Sequence, residues 1–293
     1  MDNYDVKNII TIGASAGGIS AVSELAGGLK SDLDAAVFVV IHISRNSLVE
    51  VILQQIQKRT NLKCVIACDG DRIEKNVIYL APADRHMMLE KGKIIVEKGA
   101  YDSHWRPSID VLFRSAAAAY DSCVTGIILT GLLDDGTSGM LAIKRSGGIC
   151  IVQDPQEAEF PDMPQNVLKS VKVDFKAPLY EIGYILSDLH SRQPCEIGHV
   201  PDEVKLEAEI TRRLSSETVE NTSEGIQTQE MEESLWIAIR MMEERRNLLG
   251  NMAGYNDKGR NERIFQLEKH INRLKKLLLE LGTGKTEPKQ AED

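Results

Sequence analysis

The chain has 293 residues, 42% hydrophobic and 27% charged, a mix that excludes disordered, collagen-like and disulfide-scaffold proteins. Its 44 acidic and 35 basic side chains give a net charge of −9, so the basic footprint of a nucleic-acid binder is missing. The acidic start MDNYDVKN lacks a secretory apolar run, and the densest apolar stretch, Val37 to Ile43, is too short to span a bilayer. A soluble, cytoplasmic protein without membrane insertion is expected.

From Asn8 to about Leu186, short apolar β-rich runs alternate with amphipathic stretches, the rhythm of a parallel sheet covered by helices on both faces. Strands are predicted at 8–13, 35–43, 63–67, 76–82, 123–131 and 148–153, and helices at 19–29, 48–59, 109–120 and 137–145. The run HMMLEKGKIIVEKG, from His86, reads as a β-hairpin turning around Lys91, Gly92 and Lys93. The expected fold class is α/β: three layers, a doubly wound and mainly parallel sheet with an edge hairpin, followed by an α-helical coil or hairpin.

The expected domain occupies 1–198, and a polar stretch, 199–227, reads as a linker with room for one short helix. Over 228–283, Met231, Leu235, Ala238, Met242 and Leu249 mark one helix face. Ile264, Leu267, Ile271, Leu274, Leu278 and Leu281 form a seam with alternating spacings of three and four. A helical hairpin or oligomerising coil is predicted there, with a disordered tail at 284–293. Five scattered cysteines, Cys64, Cys68, Cys123, Cys150 and Cys195, show no paired ligand spacing, so they read as reduced core thiols and no metal is expected.

The first strand runs into GASAGG, residues 13–18, where two mechanisms compete. A dinucleotide cradle needs a glycine where Ser15 stands, and no P-loop lysine follows. The other reading is GxSxG, in which flanking glycines permit a sharp strand-to-helix turn that exposes a serine beside helix N–H groups. A plain loop is the competing alternative. A serine nucleophile needs a histidine base oriented by a carboxylate. His42 ends the next strong strand, and open α/β sheets gather their sites at such ends. Asp134 and Asp135 follow the strand CVTGIILTG, where one aspartate could also cap the helix beginning near Thr137. The order Ser, His, Asp differs from that of α/β-hydrolases. His86, His104 and Arg106 read as groove-lining or solvated surface residues; His190, His199 and His270 receive no role.

Taken together, IGASAGG, the strand-end His42, DGDRIEKNVIYLAPADRHM, HWRPSIDVLF, ILTGLLDDGTSGM and QDPQEAEFPDMP resemble the catalytic domain of CheB-type chemoreceptor protein-glutamate methylesterases, over roughly Asn8 to Leu189. The resemblance implies hydrolysis of glutamate γ-methyl esters on chemoreceptors, releasing methanol, and in some members deamidation of receptor glutamines. It implies Ser15 as nucleophile, His42 as general base and acid, Asp135 as orienting carboxylate, and the backbone N–H groups of Ala16 and Leu132 as the oxyanion hole. It implies no cofactor. Typical members carry an N-terminal receiver domain. Only seven residues precede the first strand here, so a stand-alone form with a C-terminal extension is expected, the coil serving self-association or partner docking. An idle adaptor acting through the coil, or a serine esterase for another ester, are the alternatives.

Overall fold

A computed structural model describes residues 6–43, 48–99, 105–190, 195, 200–215, 258–282 and the single positions 235, 238, 242 and 249. The chain divides into two compact units, Met1–Ser215 and Ser216–Asp293.

In the first unit, seven strands form one sheet: β1 (Ile9–Ala14), β2 (Ala36–Ile41), β3 (Lys63–Ile66), β4 (Val77–Leu80), β7 (Val124–Ile128), β8 (Ile149–Gln153) and β9 (Phe175–Ala177). The order is β3-β4-β2-β1-β7-β8-β9, and every pairing is parallel. The central strands read as continuous apolar runs because both faces are covered. Alternate residues then divide between two cores. Ile10, Ile12, Val37, Val39 and Ile41 pack with α1 (Gly18–Gly27), α2 (Val49–Gln57) and α6 (Leu179–Leu189). Ile9, Phe38, Val40, Val124 and Ile128 pack with α3 (Ile109–Tyr120), α4 (Thr137–Arg145) and α5 (Asp162–Ser170).

The predicted hairpin is present as β5 (His86–Glu90) and β6 (Lys93–Glu97), but as a two-stranded sheet of its own. It does not extend an edge of the main sheet. Met87, Leu89, Ile94 and Val96 point into the α3 side of the core, so the ribbon closes that layer.

The boundary expected at residue 198 moves to Ser215. The segment read as a linker opens with α7 (Asp202–Ser215), which buries Val204 and Ile210. Its polar character misled because its buried side includes Glu207 and Thr211, which are 4% and 2% exposed. Arg145 Nη1 donates to Glu207 Oε1 at 3.4 Å, and the fully buried Arg114 donates through Nη1 to Thr211 Oγ1 at 3.2 Å. The rest of the expected linker, residues 216–227, lies outside the described residues.

The cysteines are not all reduced core thiols. Cys123 and Cys195 form a disulfide across a sequence separation of 72, a proximity made by the chain returning past the end of α3, which no local spacing reveals. Cys64 and Cys150 are buried free thiols, raised by burial to about 11 and about 12, and Cys68 is exposed.

In the second unit, the helix Lys258–Gly282 shields the predicted seam: Ile264, Leu267 and Leu274 are half-buried and Ile271 is 2% exposed, whereas Phe265 and Leu277 are exposed. Leu235, Ala238, Met242 and Leu249 are helical and half-buried. Most of the predicted first helix and the tail at 284–293 lie outside the described residues.

Candidate active site

Register sets the first two groups side by side. Ala14 of β1 pairs with Ile41 of β2, so the next residues, Ser15 and His42, leave neighbouring strands at the same carboxyl rim. The His42 N–H donates to Ala14 O at 3.0 Å and fixes that level. Ser15 enters the turn to α1, whose N-cap, Gly17, has φ +72°, a conformation that glycine adopts without the Cβ penalty. A Cβ on Gly13 would lie 2.4 Å from Ile109 Cγ2, so that glycine is required by the close approach of α3.

His42 Nε2 lies 2.7 Å from Asp135 Oδ2, with both side chains 1% exposed. An ionised carboxylate only accepts, so Nε2 carries the proton and Nδ1 carries the lone pair. Nδ1 is buried and has no hydrogen-bond partner among the described residues. One face of the imidazole stacks on Trp105, with centroids 4.0 Å apart and planes inclined by 6°.

Asp135 sits over the start of α3. Oδ2 accepts from the Ile109 N–H at 2.8 Å, and Oδ1 accepts from the Asp110 N–H and Ser108 Oγ, each at 3.1 Å. These donors and the positive end of the helix offset the cost of burying a carboxylate. Neither aspartate of the Asp134–Asp135 pair caps α4 with its side chain. That job falls to Asp110, whose Oδ1 accepts from Gly136 N–H at 3.0 Å and Gly139 N–H at 2.7 Å.

The loop after β7 meets Ser15 closely. Ser15 N–H donates to Thr130 O at 3.0 Å, and a Cβ on Gly131 would lie 2.8 Å from Ser15 Cβ and 2.1 Å from Met163 Sδ. Thr130, 2% exposed, ties this loop down: its hydroxyl donates to Ala16 O at 3.1 Å and accepts from Phe160 N–H at 2.8 Å, while its N–H donates to Gln153 Oε1 at 2.8 Å. Leu132 and Leu133 follow, exposed, with Leu133 at φ +67°. That conformation costs an L-residue about 1 kcal/mol or more. Asn166 Nδ2 holds the Leu133 carbonyl at 2.8 Å.

Of the residues given weaker readings, His86 is fully buried and accepts from the Ser108 N–H through Nδ1 at 3.3 Å, so it is no surface residue. Arg106 is paired with Asp84 at 2.6 Å, its side chain only 10% exposed, so it is not a freely solvated surface residue. His104 and His199 lie outside the described residues. Trp105, Ser108, Asp110 and Thr130 escaped the sequence reading; the only signal for them was their place inside the long motifs. Among the described residues, no group of three or more His, Cys, Asp or Glu could hold a metal ion, and no helix is long and apolar enough to cross a membrane.

A doubly wound sheet that gathers a serine turn, a buried histidine and its carboxylate at one carboxyl rim has the layout of a serine-type hydrolase. The family model described as CheB methylesterase matches residues 10–186, and the chain belongs to that family. A relative from Leptospira interrogans is 35% identical over 182 residues, 62% of this chain and 92% of the relative. A protein-glutamate methylesterase/protein-glutamine glutaminase of Methanosarcina mazei is 31% identical over 61% of this chain, which spans 50% of that relative. The crystal structure of the Thermotoga maritima CheB methylesterase catalytic domain aligns with a TM-score of 0.60 and 28% identity, covering 62% of this chain and 98% of that one.

Proposed function

We propose that the chain hydrolyses glutamate γ-methyl esters on methyl-accepting chemoreceptors, with Ser15, His42 and Asp135 as its triad. The observation that carries this reading is the 2.7 Å His42–Asp135 contact, which leaves Nδ1 buried and without a hydrogen-bond partner among the described residues, on the rim where Ser15 emerges. His42 Nδ1 takes the Ser15 proton as Oγ attacks the ester carbonyl. The protonated imidazole then delivers that proton to the departing methoxide, which leaves as methanol. Water, deprotonated by the same nitrogen, attacks the glutamyl-serine ester; the imidazolium returns the proton to Ser15 Oγ as the glutamate is freed. Asp135 stays ionised throughout and steadies the imidazolium.

The oxyanion is received by the backbone N–H groups of Ala16 and Leu132. Ser15's own N–H is engaged by Thr130 O, so the next donor along the turn is Ala16's. Thr130 bonds Ala16 O, which couples that turn to the loop carrying Leu132. Attack on a glutamine carboxamide through the same groups would release ammonia, the deamidation named for the Methanosarcina relative.

Methanol release from methylated receptor cytoplasmic fragments tests the reading. Ser15→Ala should lower the rate by about a thousandfold or more. A folded Ser15→Ala protein that cleaves at the wild-type rate overturns it. For the unit Ser216–Asp293 we propose self-association or partner docking, supported by the three-four spacing of Ile264, Leu267, Ile271 and Leu274 and by the exposed Phe265 and Leu277 on the same helix. Sedimentation of the full chain against a chain ending at Ser215 tests this; unchanged mass and unchanged partner binding would refute it.

A further inference from the structure

We propose that Trp105 is a positioning residue for His42, a role that rests on the esterase reading above and adds to the triad a fourth side chain that acts through the imidazole. Three restraints act on the His42 ring. The backbone N–H is tied to Ala14 O, Nε2 is tied to Asp135, and the flat face lies on the indole of Trp105.

A single hydrogen bond at Nε2 fixes one ring atom and leaves the imidazole free to rock about the N–H···O line. Rocking swings Nδ1, the atom that must meet the serine hydroxyl. An indole at 4.0 Å and 6° blocks this motion, since tilting the imidazole drives one edge into the indole and lifts the other out of contact. The stack also acts on charge. When Nδ1 gains a proton, the imidazolium faces the electron-rich π surface of the indole, an attraction that the neutral ring lacks. The interaction therefore grows along the reaction and raises kcat more than it lowers KM.

The sequence supports one shared device. Trp105 stands three residues before Ser108, and the stretch from Trp105 to Asp110 holds both partners: His42 by its ring face, and Asp135 through Ser108 Oγ and the N–H groups of Ile109 and Asp110. A single segment thus sets the imidazole plane and the carboxylate position together.

Two arms test the proposal on the full-length chain. With methylated receptor fragments as substrate, Trp105→Leu should lower kcat about tenfold with KM changed less than about twofold, and Trp105→Phe should restore most of the loss. Trp105→Leu with wild-type kcat overturns the role. The second arm uses Trp236→Phe, which leaves Trp105 as the single tryptophan of the two in the chain. Its emission should change in His42→Gln, because that substitution removes the ring stacked on the indole. Emission that is indifferent to His42→Gln overturns the stack. Absence of ester cleavage by the wild type would overturn the esterase reading alone, since emission reads the stack without substrate.

Discussion

Asp110 and Asp135 each cap the helix that the other one introduces. Asp110, in the first turn of α3, accepts from the N–H groups of Gly136 and Gly139 at the start of α4. Asp135, one residue before the α4 N-cap, accepts from Ile109 and Asp110 at the start of α3. The exchange locks two helix N-termini together beneath His42. Arg114, fully buried, closes the arrangement by donating to Asp110 Oδ2 at 3.3 Å and to Ser138 Oγ.

Removing Asp110 therefore does more than uncap a helix. Asp110→Ala removes the carboxylate that Arg114 Nη2 bonds together with the acceptor of two α4 N–H groups, and should destabilise the fold by about 3–5 kcal/mol. Asp110→Asn keeps an acceptor for α4 and should fall between the two. Urea denaturation of the three proteins measures the difference.

Ser108 has two duties. Its Oγ donates to Asp135 Oδ1 and accepts from the Val111 N–H as the α3 N-cap. Ser108→Ala should cost about 1 kcal/mol of stability. The ester-cleavage rate should drop about tenfold as Asp135 loses one of its donors, and Ser108→Thr should recover both. Parallel denaturation and methanol-release assays check this.

Gly131→Ala places a methyl group 2.8 Å from Ser15 Cβ. Met163 is flexible and can retreat, but the Ser15 backbone is held by Thr130 O and cannot. Activity should fall by about a hundredfold or more, the scale set by losing an oxyanion donor. Adding Met163→Ala should fail to restore it, which steady-state kinetics of the single and double variants will show.

His190, at the end of α6, bonds Thr125 Oγ1 at 3.3 Å, and burial lowers its pKa from 6.5 to about 4. The unfolded chain takes up this proton below about pH 6.5 and the folded chain only near pH 4, so the unfolded state binds more protons in between. The group's contribution is present above pH 6.5 and is lost as pH falls toward 4, by up to about 3 kcal/mol. His190→Gln should flatten that part of the stability profile relative to wild type, as denaturation at pH 7.5, 5.5 and about 4.5 would reveal.

Where apolar period was strong, the chain was readable: the predicted helices 109–120 and 137–145 coincide with α3 and α4. Strand ends likewise placed Ser15, His42 and Asp135 on one rim, because parallel strands expose their following residues on the same side. What could not be read depends on distance through space. The Asp110 carboxylate reaches α4 only because two helices start against each other, and nothing local marks it as a cap. The ring pair Trp105–His42 and the disulfide Cys123–Cys195 join segments far apart in sequence. Helix α7 was obscured for another reason: its buried face is partly polar, and it is held there by Arg114 and Arg145.

The central position of β1 also orders events in time. As the chain is synthesised from its N-terminus, β1 can pair with β2 early, but its other edge stays open until β7 arrives at residues 124–128. Asp135 follows, 93 residues after the histidine it holds. A half-made chain therefore owns a serine and a histidine with no carboxylate to orient them, and such non-local closure is slow. The rim that gathers Ser15, His42 and Asp135 is thus assembled only after β7 has joined β1.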